Sequence, residues 1–112
     1  MNQTDEWERD PSIQIMRRVF RAMEDAQAQL LRRLGINPYD IRVREWREKA
    51  LELFERAWMT ANRMGMNMDE GTASALYVRG LAKIMSSDGV EIPSGILPAE
   101  EEVEKIFMEI LK

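Results

Sequence analysis

Five arginines crowd one short stretch of the chain: Arg32, Arg33, Arg42, Arg44 and Arg47. A guanidinium presents a planar fork of donors that suits phosphate and carboxylate. Arg32 and Arg33 sit where a helix should end, which its dipole favours. Arg42, Arg44 and Arg47 sit where the next helix should begin, which its dipole opposes. Local helix stability therefore does not account for the group. Either Asp40, Glu45 and Glu48 neutralise it, or it is a contact patch for an RNA or DNA backbone. Arg17, Arg18 and Arg21 add a second basic strip, moderated by Glu24 and Asp25. No aromatics interleave with these arginines on a sheet, so any binding would not read base sequence.

The remaining candidate chemistry is thinner. Glu45, Glu48, Glu52 and Glu55 alternate with Arg44, Lys49 and Arg56, several at i,i+4 spacing, which predicts a solvated, salt-bridged helix face. A carboxylate metal centre in a bundle needs inward-pointing acids, usually with Glu-x-x-His. The chain has no histidine and no cysteine, which removes zinc fingers, disulfides, thiol nucleophiles and imidazole bases together. The glycines form no phosphate loop. The serines have no evident base except Lys83, three residues before Ser86. In an EF-hand register, Asp88-Gly89 would put Ile84 and Gly95 at the first and last ligand positions, so no calcium loop is expected. Met59, Met64, Met66 and Met68 cluster, and thioethers can bind Cu(I). Adaptable packing or a plastic partner surface is the preferred reading of them. The expectation is a chain that is not an enzyme, with no cofactor and no metal.

These residues must be carried by something. The chain has 112 residues, 45% apolar and 32% charged, which fits one globular domain. Its net charge of −4 is distributed in blocks. Residues 1–10 carry −3, residues 88–112 carry −5, and the stretch between carries +4. Residues 1–10 read as an acidic, disordered tail and 11–112 as a single helical domain. No apolar run approaches the ~20 residues that span a bilayer. The first ten residues are too polar for a signal peptide, so a cytoplasmic location and no membrane partner are expected.

The apolar periodicity predicts four helices. Asp10-Pro11 starts the first, over about 11–34. Its stripe is Ile13, Met16, Phe20, Met23, Leu30 and Leu34, broken only by Gln27. Gly35 ends it. Asp40 caps the second, over about 41–64, and the short connector predicts a long antiparallel hairpin. The second helix carries Val43, Trp46, Ala50, Leu53, Phe54, Ala57, Ala61 and Met64 on one face, widened by Leu51 and Trp58. An arc that wide suits the central helix of a bundle, or a surface kept for another chain. Asp69 caps a third, shorter helix, about 70–86. There Gly80 predicts a close approach to the Ala50, Ala57 and Ala61 seam. A loop follows, with a brief extended piece at Val90–Ile92. Pro98 opens the short fourth helix, with Glu100, Glu101 and Glu102 in its first turn and Val103, Ile106, Phe107, Ile110 and Leu111 inward.

The segment 78–111, a helix, Asp88-Gly89 and then an acidic amphipathic helix, resembles tellurite-resistance-type helical domains, and no functional residue follows from that. In size, helicity and absence of catalytic groups the chain is similar to small subunits lining CRISPR effector complexes. The functional expectation is a non-catalytic helical subunit of a larger assembly. It would act through protein contacts and, in one version, sequence-independent nucleic-acid backbone contacts. The alternative is an adaptor, assembly chaperone or homo-oligomeric module with no nucleic-acid role. For the partner or self-association surface the expected residues are Trp46, Leu51, Trp58, Met64 and Met66, with Trp7 also exposure-prone. No small-molecule substrate is evident.

Overall fold

The structure is a computed structural model that describes residues 10–66, 69–97 and 101–110. The tail before Asp10 with Trp7, and Met68, Pro98, Glu100 and Leu111, lie outside the described residues. Among the described residues the chain is all-α, with α1 Pro11–Leu34, α2 Ile41–Arg63, α3 Glu70–Ser87 and α4 Glu101–Ile110. The expected extended piece at Val90–Ile92 forms no strand. Val90 and Ile92 instead rest half-buried on the core.

The helix ends are where the local signals place them. The Asp10 carboxylate accepts the Ser12 N–H at 2.9 Å, with Pro11 in the first turn. Gly35 adopts φ 69°, and the N–H groups of Gly35 and Ile36 close back on Arg32 and Leu31. Asp40 accepts the Arg42 N–H at 3.0 Å and Asp69 the Thr72 N–H at 2.7 Å. These backbone donors hold both carboxyls below the usual aspartate range.

The helices assemble around α3, not α2. α1, α2 and α4 all pack on α3, and no Cα of α1 comes within 8 Å of one in α2. The two long helices expected to pair along their length thus stand with their backbones apart, each packed on α3. The reason lies in α3 itself. Ala73, Leu76, Tyr77, Val78, Gly80, Leu81, Ala82 and Met85 are all buried, and at 100° per residue they span roughly 240° of its circumference. One neighbour cannot cover such an arc.

Two core clusters result. Val19, Met23, Leu30 and Leu31 of α1 meet Val43, Trp46 and Ala50 of α2 over the Tyr77–Leu81–Met85 side of α3. Ala57 and Ala61 of α2 meet Val103, Ile106 and Phe107 of α4 over Leu76. Gly80 lies at the junction, but not against the alanine seam. A Cβ there would stand 3.2 Å from Leu53 and 3.6 Å from Phe107. Arg79 of α3 pairs with Glu104 of α4, and the Lys83 ammonium lies 5.4 Å from the Phe107 ring centre.

Leu81 is fully buried, whereas Ile15 on α1 is half exposed. Leu81→Ala should cost about 2–5 kcal/mol in urea unfolding followed by circular dichroism. Ile15→Ala should cost no more than about 0.5 kcal/mol. Equal costs would contradict an α3-centred core.

Candidate protein-interaction site

Because α3 holds the backbones of α1 and α2 apart, the space between them stays open. It is an apolar groove of about 500 Å³ lined by Met16, Val19, Phe20, Leu51, Phe54, Glu55, Trp58 and Met59. Met16 and Phe20 stand four apart on α1, and Leu51, Phe54 and Trp58 recur at helical spacing on α2, so each helix turns one stripe to the groove. The floor is firm. The Phe54 ring packs on Trp58 at 5.7 Å and meets Tyr77 edge-on at 6.4 Å. The walls are not covered. Met16 is 47% exposed, Phe20 46% and Met59 60%.

One end of the groove is polar. Arg47 of α2 pairs with Glu24 of α1 at 3.4 Å. Beside them the buried Tyr77 hydroxyl donates to the Gln27 side-chain oxygen. Gln27, the one break in the apolar stripe of the first helix, is therefore a partner for the tyrosine of the third. Phe20 and Leu51 also line the small pocket here, of about 150 Å³, so it adjoins the groove. Burial pushes the Tyr77 hydroxyl up to about 12.

The expected partner residues divide. Leu51 and Trp58 line the groove. Trp46 does not. It is 1% exposed, and its indole N–H donates to the Asp88 carboxylate at 2.7 Å. Trp46 is thus a core residue that ties α2 to the end of α3, and it is withdrawn from the contact surface. Its neighbours Val43 and Ala50 face the same way, which explains the burial. Met64 is exposed but lines a separate cavity of about 750 Å³ beside Arg56, Arg63 and Glu109. Met66 is half-buried against the α4 cluster. The groove's Met16 and Phe20 are residues that periodicity assigned to the core stripe.

The arginine end is largely tied down. Arg42 pairs with Asp40 at 3.3 Å and lies 5.2 Å from the Trp46 ring centre. Arg44 pairs with Glu48 at 3.8 Å. Arg47 serves Glu24, as above. Arg33 donates to the Ile96 carbonyl at 3.1 Å, holding the loop after α3. Only Arg32 of the five has no such partner among the described residues. The ion pairs are exposed, so they contribute little and salt screens them.

Among the described residues no three carboxylates gather as a metal site, and no buried side-chain N or O lacks a hydrogen-bond partner. Glu45, Glu48, Glu52 and Glu55 are all exposed. What the groove can do chemically is take up apolar side chains, with a polar anchor at one end.

Tyr77 gives a pH test. Its hydroxyl is harder to deprotonate folded than unfolded. The stability this represents is complete below pH 10 and is lost as pH rises from 10 towards 12. The loss should reach about 2–3 kcal/mol. Urea midpoints should fall more steeply over that range for the wild type than for Tyr77→Phe. Tyr39→Phe, at a 93% exposed site, serves as control. Parallel curves would contradict the buried hydroxyl.

No known family model, curated protein or solved structure matches the chain.

Proposed function

We propose that this chain is a non-catalytic helical interaction module, a small subunit whose docking surface is the groove between α1 and α2. The observation that carries this reading is the half-exposed Phe20 and Met16 standing over an ordered Phe54–Trp58 floor. Exposed aromatic and methionine side chains gathered on one apolar patch are characteristic of protein contact surfaces. Glu24 meeting Arg47, with Phe20 beside Leu51, fits a splayed antiparallel pair whose two lips a partner would bridge. The assignment as a subunit of a larger assembly, in the cytoplasm, goes with this reading.

A second reading rests on Arg32. It is an exposed cation at the end of α1 with no partner among the described residues. It would let the arginine end touch a nucleic-acid backbone, with Arg33, Arg42, Arg44 and Arg47 recruited from their present partners. Binding of a generic oligonucleotide at low salt, weakened by Arg32→Glu and by added salt, would support it. No binding at low salt would remove it.

The primary reading is tested by placing a photoreactive phenylalanine at Phe20, and as control at Tyr39, in cells of the native source. Phe20 should give a discrete covalent protein adduct that Trp58→Asp abolishes, and Tyr39 should not. No adduct at Phe20, or equal adducts at both sites, would contradict the groove as a contact surface.

A further inference from the structure

The groove has a charge of its own. Of the described residues that line it, Glu55 alone is charged. Glu55 has no ion-pair partner among the described residues. Arg56, the next residue, lines the separate cavity beside Met64. At the polar end Glu24 and Arg47 hold each other at 3.4 Å and bring no net charge.

The same groove gathers three rings, Phe20, Phe54 and Trp58, and the thioethers of Met16 and Met59. The face of an aromatic ring attracts a cation. Elsewhere in the molecule the chain supplies that cation itself. The Arg42 guanidinium lies 5.2 Å from the Trp46 ring centre, and the Lys83 ammonium 5.4 Å from that of Phe107. No cation of the described residues lies over Phe20, Phe54 or Trp58.

An aromatic concavity with one carboxylate selects a ligand that is both apolar and positively charged. An anion of the same shape would be repelled by Glu55. A small inorganic cation would lose its hydration and leave the apolar walls uncovered. The volume of about 500 Å³ lies within the range of small-molecule sites, roughly 300–1,000 Å³. The floor is ordered in the free chain, since Phe54 packs on both Trp58 and Tyr77. Met16 and Met59 are unbranched and adapt to the shape of what they touch.

We propose that the groove binds a lipophilic organic cation, a small molecule held between the rings of Phe20 and Trp58 with its positive charge facing Glu55. Such a site needs only this lining and no protein partner.

The full chain, isotope-labelled at its methionine methyls, is titrated at low salt with tetraphenylphosphonium and separately with tetraphenylborate, an anion of matching shape. The Met16 and Met59 methyl resonances should shift saturably with the phosphonium. Met108, 70% exposed on α4, should not. Read at the same two methyls, the borate should bind at least tenfold more weakly. Glu55→Gln should weaken the phosphonium roughly fivefold and reduce its advantage over the borate. Phe20→Ala, at a half-exposed site, should keep the helical circular dichroism spectrum and weaken the phosphonium to a similar degree. No saturable shift at Met16 and Met59, an equal shift at Met108, or a borate that binds the groove as tightly as the phosphonium would overturn the site. So would a phosphonium affinity that Glu55→Gln leaves unchanged.

Discussion

α3 has an apolar surface too wide for any single neighbour to cover, and the other helices are arranged by that need. Leu76 and Tyr77 point to different sides, and both are buried. α1 and α2 cover the Tyr77 side and α4, with the later turns of α2, covers the Leu76 side. The small residues of α3 let this happen. At Gly80 there is no room for a side chain unless Leu53 gives way. With α3 occupying the middle, α1 and α2 are held apart, and the groove above Phe54 is the space that separation leaves. The open apolar surface is thus a consequence of how the core is satisfied.

The polar contacts have a different task. Each fixes a joint. Arg33 pins the loop after α3 to the end of α1. Trp46 joins α2 to Asp88 through its indole N–H, a hydrogen bond to a charged acceptor of the stronger kind. Tyr77 and Gln27 fasten α3 to α1 beneath the groove. Arg47 and Glu24 tie the two lips together at one end only. At the other end, Met16 and Met59 leave apolar surface exposed.

Much of this was legible in the residues. Asp10-Pro11, Gly35, Asp40 and Asp69 mark helix ends because each uses a specific backbone hydrogen bond or a positive φ, and such signals are local. The neighbours were not legible. Periodicity says which side of a helix is apolar but not which other helix will cover it. The wide arc of α2 left open a central helix or a surface kept for another chain, and part of that arc, at Leu51 and Trp58, faces the groove. A cue was present in the lengths. The 24-residue stripe of α1 is longer than the 18-residue α3 that covers it, so some of that stripe had to overhang. Trp46 was misplaced for a related reason. A large aromatic suits both a core and a contact surface, and only the position of Asp88 in space decides between them. The arginine group divided similarly, because Glu24 and Ile96 reach it from elements distant in sequence.

α3 is the element on which the other helices depend. Native-state hydrogen exchange tests this most directly, since protection grades elements by the free energy of opening them. The slowest amides should lie in α3 between Leu76 and Met85, exchanging only through global unfolding. The first turns of α1 and the middle of α2 facing the groove should open at lower free energy. If α1 and α2 instead formed the most protected unit while α3 exchanged early, the two long helices would be the core and the α3-centred account would be wrong.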